Sequence, residues 1–450
     1  MDSVRKHLID AVTEQDAFDR PASDVRPLQL AAAQALFEQR VAQIPLLKRR
    51  ADEAGIQRIA SFDDIVPLLF AHTVYKSYPQ AFVEKGRWDR MLQWMGSLSA
   101  VSMGDVDVSG VEDIDDFIAR LHAAGHMVLV TSGTSGKCSF LNQTTGDTAL
   151  KTRHFRHVSG WPYVMPNNDR HFYFLGPKHG PNSAVEAATM GARNWARPDT
   201  FHALTDEPLR VTDISHAAIM RKKTAEGSAT PQEIAAFEAE GAAKQVANEG
   251  RMGALADHIL AHRHEPIVVL GLWSQHMAII AEARRRGIPD GDFHPESIVK
   301  AGGGVKGITL PPDYKEQVTR FYGNVHRPAN YGMTEMASLT ARCEAGRYHA
   351  PPGLIMLVLD ASGERLQKPK SGDDGLIEGR FAFLDLLFDA RWGGVITGDK
   401  VTLDTKSRCP CGRHGPTLLD TITRFAQVGE DDHIGCAGTI DAYVRGGLEA

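Results

Sequence analysis

Two hydrophobic periodicities alternate along the chain. In the N-terminal part apolar residues recur at helical spacing: Leu30, Ala33, Leu36, Phe37, Val41 and Ile44 share one face of a helix expected over 28–50. Ser61 is placed to cap a following helix, with Asp63 and Asp64 favourable against its dipole. A further helix is expected over 113–124. Short apolar runs then take over. His126-Met127-Val128-Leu129-Val130, His171-Phe172-Tyr173-Phe174-Leu175, Ile267-Val268-Val269-Leu270-Gly271-Leu272 and Ser297-Ile298-Val299-Lys300 read as buried strands. Helical patterns follow the last three, from Ser183, over 275–286 and over 312–322. The polar stretch 205–263 is also helical, with Thr230-Pro231-Gln232-Glu233 supplying a cap, a first-turn proline and a capping-box Glu. These β–α steps predict a mostly parallel sheet with helices on both faces. From 354 to 403 the period approaches two, with turns at Ser362-Gly363, Asp374-Gly375 and Gly393-Gly394, so a smaller antiparallel or barrel-like subdomain is expected there.

Composition narrows the class without naming a chemistry. A chain of 450 residues exceeds one ordinary core, which predicts two or three subdomains. Hydrophobic residues make up 42% and charged residues 24%, and the net charge is −6, with no basic cluster for nucleic acid or an anionic membrane. The first residues lack an apolar signal region, no run approaches membrane-spanning length, and five cysteines do not form a secreted disulfide framework. A cytoplasmic protein is expected. Tyr75, Tyr78, Phe82 and Trp88 form an aromatic cluster that reads as packing.

The first chemical signal is Thr131-Ser132-Gly133-Thr134-Ser135-Gly136-Lys137, directly after a strand. Glycines admit the backbone close to an anion, hydroxyls add donors, and Lys brings a mobile positive charge. The spacing is not that of a Walker loop. Such a stretch is also an ordinary turn. Three more stretches follow it. Tyr331-Gly332-Met333-Thr334-Glu335 offers a ring to stack on a base, a hydroxyl for phosphate and a carboxylate for Mg²⁺. Gly302, Gly303 and Gly304 would let backbone approach a flat ring, and Asp399 in Thr397-Gly398-Asp399 can accept from ribose hydroxyls. Singly, each has a plain alternative: a core Tyr, a surface Glu, a turn Asp.

In this order the pieces resemble the adenylate-forming superfamily of acyl-CoA ligases, adenylation domains and luciferases, over 126–434. Within it the chain is most similar to the phenylacetate-CoA ligase-like branch and to bacterial acyl-protein synthetases. The branch-level resemblance rests on Cys343 and His349 after the Tyr331 segment and on Cys409-Pro410-Cys411-Gly412-Arg413 after Asp399, where that branch holds structural zinc. Three thiolates and one imidazole complete a closed tetrahedral Zn²⁺ site without an open position for water. Small buried cysteines are the plainer reading.

The resemblance implies an α/β fold: a large N-terminal domain of mostly parallel sheets flanked by helices, plus a smaller β-rich subdomain. It suggests a helical part at 1–125, a nucleotide- and acyl-binding core at 126–340, a zinc-tied subdomain at 341–428 and a hinge remnant at 429–450. By carry-over, Lys137, Thr134 and Ser135 hold the outer phosphates of ATP. Gly302, Gly303 and Gly304 line the adenine site on which Tyr331 stacks. Thr334 contacts the α-phosphate, Glu335 holds Mg²⁺, and Asp399 binds the ribose with help from Arg424. Gly176, His179, Gly180 and Trp273 border the acyl group.

Two departures from the family pattern stand out. Cys138 occupies the place of a usual proline, and few residues follow Asp431-Asp432 at the hinge position, so the C-terminal lid domain is expected to be absent. The implied reaction activates an aryl or fatty carboxylic acid to an acyl-adenylate, releases pyrophosphate, and passes the acyl group to a thiol. That thiol is CoA, a carrier protein or Cys436, the candidate acceptor suggested by acyl-protein synthetases. The other readings are an adenylate-binding partner with reduced turnover in a biosynthetic complex, where a partner supplies the missing domain's function, and a zinc-stabilised hydrolase or transferase. A homodimer is the base-rate expectation.

Overall fold

The computed structural model describes residues 2–131, 137–302, 309–369 and 375–425. These form two compact units, one from 2–131, 137–158 and 330–425 and the other from 159–302 and 309–329.

The second unit is built on a four-stranded parallel sheet in the order Ala196–Thr205, Arg170–Pro177, Ile267–Leu272, Ile298–Gly302. Alternate residues of its strands serve two cores. Tyr173, Leu175, Val269 and Val299 pack with Leu255, Ile259, Ile280 and Phe321 of the helices Pro231–Ala261, Trp273–Arg285 and Tyr314–Tyr322. Phe172, Phe174, Val268 and Ile298 face the other way, onto Val185, Ala188 and Trp195 of the helix Ser183–Trp195. Helices therefore cover both faces, as the apolar runs predict, and burying each such side chain is worth about 1.5–3 kcal/mol. The capping box forms: Glu233 N donates to Thr230 Oγ1 and Thr230 N to Glu233 Oε2. Sequence reading misses the strand Ala196–Thr205. It lies at the sheet edge with no fully buried position, so its apolar pattern is weak.

The first unit carries a nine-stranded sheet that is mostly antiparallel, and its three long strands fall, to within a residue, in the stretch 354–403 where antiparallel pairing was expected. Its path runs Leu354–Leu359, Leu376–Asp385, Gly394–Asp404, Thr417–Leu418, Tyr348–His349, Thr340–Arg342, Asn330–Tyr331. Phe70–Ala71 pairs parallel with Gly394–Asp404, and Thr423–Arg424 pairs antiparallel with it. The strand Leu354–Leu359 is buried at all six positions, so both of its faces are covered and the alternation of a half-exposed strand is absent.

Local chemistry explains two smaller differences. The helix expected over 28–50 is two, Ala22–Arg40 and Pro45–Ala54. Pro45 disfavours helical geometry at Ile44, which is extended at φ −110° and ψ 104°, and then serves as the first residue of the next helix. Ser61 does not cap a helix: the segment Asp63–Leu68 is a 3₁₀ turn, and the Asp64 carboxylate accepts from Ala60 N at 2.9 Å and Ser61 N at 2.8 Å. The aromatic cluster is packing, as expected: the buried Tyr78 ring meets Trp94 at 5.0 Å and Phe140 at 5.6 Å, edge to face. Among the described residues no helix is long and apolar enough to cross a membrane.

Candidate functional site

The strand Leu129–Thr131 pairs antiparallel with Ser139–Leu141, with Thr131 opposite Ser139. Residues 132–136, the rest of the expected phosphate cradle, lie outside the described residues, as do Gly303, Gly304 and Cys436. Lys137 at the far end is held from the aromatic cluster. Its Nζ donates to the Tyr78 carbonyl at 2.6 Å and sits 5.4 Å from the centre of the Tyr78 ring. The Tyr78 hydroxyl in turn donates to the Cys138 carbonyl at 3.0 Å.

The Tyr331 and Asp399 segments, far apart in sequence, converge in one sheet. Tyr331 Oη donates to Asp399 Oδ2 at 2.8 Å. Antiparallel pairing sets Arg424 opposite Asp399, and its Nε approaches the other carboxylate oxygen at 3.4 Å. Asp399 lies within the strand Gly394–Asp404, where the register shifts opposite Phe381, and buried Thr397 holds this irregularity: its hydroxyl donates to the Phe381 carbonyl at 2.8 Å and accepts from Asp399 N at 3.1 Å. Burial, and then the Asp399 charge, push the Tyr331 phenol well above its ordinary range, so it stays protonated and acts as a donor.

Glu335 is positioned through backbone on either side. Arg391, almost wholly buried, donates from Nη2 to the Glu335 carbonyl at 2.9 Å and from Nη1 to the Asn142 carbonyl at 3.0 Å. It thereby ties the segment after the cradle to the Tyr331–Glu335 segment. Just beyond, fully buried Asp385 accepts from Ala337 N and Ser338 N, each at 2.7 Å, and from Ser338 Oγ at 2.9 Å. Burial raises the Glu335 carboxyl against the lowering pull of Arg391, and Asp399 adds to the rise. A desolvated carboxylate beside a second acid is a natural place for a divalent cation. Thr334 lies within this held segment. Gly332 allows Leu339 to close over it, because a Cβ would come within 2.3 Å of Leu339 Cδ2. Sequence reading passed over Arg391 and Asp385; the signal available was a charged residue inside or beside an apolar strand run.

The remaining expected residues belong to the other unit. Gly176, the penultimate residue of the strand Arg170–Pro177, lies directly over the Phe174 ring, which a Cβ would meet at 2.7 Å. Gly180 has φ +143° and lies against Leu209, so packing alone asks for glycine there. His179 is exposed, and its carbonyl accepts from Leu209 N at 2.9 Å. Trp273 opens its helix and packs edge-on against Tyr314 at 5.5 Å. Among the described residues nothing lies within 4 Å of a Cβ built on Gly302. Two residues before it, Lys300 was not singled out by sequence; burial draws its ammonium down to about 7.

Cys343, His349, Cys409 and Cys411 are gathered with all four ligand atoms within 4.8 Å of one another. Cys343 Sγ lies 3.8 Å from Cys409 Sγ, and Cys411 Sγ lies 3.5 Å from His349 Nε2. A tetrahedral zinc with its usual bond lengths requires edges of about 3.8 Å and about 3.6 Å for these two pairs. Each half of the site is a tight turn of one design. Cys343 N donates to the Arg347 carbonyl and Gly346 N to the Cys343 carbonyl; Cys409 N donates to the Arg413 carbonyl and Gly412 N to the Cys409 carbonyl. Gly346 at φ +75° and Gly412 at φ +89° close the two turns. Burial, then the Arg413 charge, lower His349 to about 4, which leaves a neutral imidazole, the ligand form. Burial raises the Cys411 thiol, but its hydrogen bonds with Arg413 outweigh that and the net shift is downward.

Neither protein-family models nor curated proteins match the chain in sequence. Solved structures do match in fold. The structure of 2-hydroxyisobutyryl-CoA ligase in the postadenylation state, in complex with R3-HIB-AMP, superposes with a TM-score of 0.55 at 13% identity, covering 91% of this chain and 69% of that one. The same ligase in complex with 2-HIB-AMP and CoA in the thioesterification state gives 0.54 at 14%, covering 91% and 70%. Its open conformation with 2-HIB-AMP and CoA gives 0.54 at 14%, covering 91% and 71%. This chain shares its fold with that acyl-CoA ligase.

Proposed function

We propose that the chain activates a carboxylic acid with ATP, forms an acyl-adenylate and pyrophosphate, and passes the acyl group to a thiol such as CoA. One observation carries the reading. Tyr331, Asp399, Arg424 and the half-buried Glu335, scattered in sequence, are gathered in one unit of a fold shared with a ligase crystallised on acyl-AMP complexes. In the reaction a carboxylate oxygen attacks the α-phosphorus, a new P–O bond forms and the bond to pyrophosphate breaks. A thiolate then attacks the acyl carbonyl and AMP leaves.

The residues divide that work by position and charge. Lys137 neutralises the outer phosphates with the cradle 131–136, and Thr334 donates to the α-phosphate. The Tyr331 face takes the adenine, while Asp399, steadied by Tyr331 and Arg424, accepts from ribose. Glu335 would hold Mg²⁺, which supplies charge neutralisation at the phosphates when bound. In the other unit, Gly176, His179, Gly180 and Trp273 are the residues that the family resemblance assigns to the acyl group, and Gly302 is one that it assigns to the adenine. Cys343, His349, Cys409 and Cys411 would hold a structural Zn²⁺ without a catalytic role, since four protein ligands leave no open position.

Carboxylate-dependent exchange of label between pyrophosphate and ATP, over a panel of short hydroxy, aromatic and fatty acids, tests the reading. Exchange with one acid class that is lost in Glu335→Gln supports it. ATP binding without exchange for any acid overturns it in favour of an adenylate-binding partner protein.

A further inference from the structure

A second cluster of ligand-bearing side chains lies in the other unit, and the proposed reaction leaves it unused. His171 sits on the strand Arg170–Pro177 and His202 on its edge neighbour Ala196–Thr205. His258 lies in the last turn of the helix Pro231–Ala261, and His262 caps that helix one turn on. The parallel register places His202 opposite Tyr173, two residues from His171, so strand and helix spacing bring the four imidazoles together. Ring centres are 4.3 Å apart for His171 and His262, 4.3 Å for His202 and His258, and 4.4 Å for His258 and His262. The nitrogens of His171, His202 and His258 lie within 4.8 Å of one another, and those of His171 and His262 lie equally close to the Glu265 carboxylate.

The hydrogen bonds around the cluster set its protons. His262 Nδ1 is 2.9 Å from the His258 carbonyl, which can only accept, so Nδ1 carries the proton and Nε2 presents a lone pair. His258 Nδ1 is held by the Tyr173 hydroxyl at 2.8 Å, which orients the ring and leaves Nε2 for another partner. Outer contacts of this kind are what orient imidazoles around a metal. His171 Nδ1 and His202 Nε2 are 2.9 Å apart, the spacing of a shared proton, and an opening of about 0.4 Å brings them to the edge of about 3.3 Å that two nitrogens span on a tetrahedral zinc. Glu265 is engaged by Arg197 at 3.0 Å, which leaves imidazole as the dominant donor.

We propose that His171, His202 and His258 bind one divalent transition-metal ion of the zinc class, with His262 packed beside them. Imidazoles select Zn²⁺, Cu²⁺ or Ni²⁺ over Mg²⁺ and Ca²⁺. The ion clamps the edge strand and the C-terminal turn of the long helix to the sheet. The site is separate from Cys343, His349, Cys409 and Cys411 and stands whether or not the chain is a ligase.

Zn²⁺ titration of the full chain against a competing chromophoric chelator tests it, with His171→Gln/His258→Gln compared with Cys409→Ser/Cys411→Ser. The histidine variant is expected to lose one zinc equivalent that the cysteine variant keeps. Co²⁺ bound to the cysteine variant is expected to show d–d bands without thiolate charge transfer. Should the double histidine variant fail to fold, His202→Asn alone is expected to weaken that equivalent at least tenfold. Wild-type stoichiometry and affinity in the histidine variants, or Co²⁺ spectra that always carry thiolate bands, would overturn the assignment.

Discussion

The Tyr331 phenol donates to the Asp399 carboxylate at 2.8 Å, joining the two segments from which an adenine platform and a ribose acceptor were expected. The bond fixes the ring edge and one carboxylate oxygen together, so the two residues act as one surface. A bond to a charged acceptor is worth about 1.5–3 kcal/mol. Tyr331→Phe keeps the ring and loses the tether. It is expected to raise KM for ATP by about tenfold or more in pyrophosphate exchange, while Asp399→Ala raises it further; unchanged KM in both would remove them from the nucleotide site.

Glu335 titrates above the ordinary carboxylate range because burial disfavours its charge. A raised pKa means the proton is kept to higher pH, so cation binding weakens as pH falls through the raised value. Mg²⁺ dependence of exchange is therefore expected to steepen toward the acid side at a pH above the usual Glu range. Glu335→Gln should lower kcat by about a hundredfold with an unchanged melting curve.

Arg391 bridges the carbonyls of Asn142 and Glu335 from a buried position over the Phe388 ring at 3.6 Å. Arg391→Met leaves both carbonyls short of a donor, an expected loss of about 2–4 kcal/mol in urea unfolding. Arg391→Lys should recover only part of it, because an ammonium cannot span both acceptors as the planar fork does.

With zinc held by the cluster as proposed, Cys409→Ser is expected to release one zinc equivalent and lower the melting temperature by several degrees, since metal binding to a site that only the folded chain assembles adds to folding free energy. Chelator treatment of the wild type should reproduce the shift, and zinc addition should reverse it. A melting curve indifferent to both would strip the cluster of a structural role.

Buried imidazoles predict acid sensitivity. Burial lowers His276 to about 4 and His154 to about 3. The unfolded histidine, near 6.5, takes up its proton first, so stability is lost as pH falls from about 6.5 to those values, at up to about 1.4 kcal/mol per pH unit for each residue. His276→Asn is expected to flatten that slope in urea midpoints measured between pH 7 and 4.

The parallel sheet was legible because Phe172 and Phe174 face one core while Tyr173 and Leu175 face the other, which leaves an uninterrupted apolar run in the sequence. The edge strand Ala196–Thr205 was hidden for the opposite reason, since half-exposed positions leave no run to read. The gathering of Cys343, His349, Cys409 and Cys411 was suggested by the resemblance to the phenylacetate-CoA ligase-like branch, carried by Cys409-Pro410-Cys411-Gly412-Arg413 and its upstream Cys and His. Asp385 and Arg391 were not suggested. Apart from the Ser338 hydroxyl on Asp385, their hydrogen-bond partners given above are backbone groups, and a carbonyl or amide left open by a distant segment has no residue-type signature.

By itself, then, the sequence determined which segments bury their side chains and which residue types are available for phosphate, ribose and zinc, because periodicity and donor chemistry are local properties. Tertiary structure decided how those types are combined. Strand pairing sets Asp399 opposite Arg424 and under the Tyr331 hydroxyl, and the crossing of two strands and a helix end brings His171, His202, His258 and His262 into one cluster. Such juxtapositions depend on register and packing between distant segments, where a shift of one residue would turn each side chain to the opposite face.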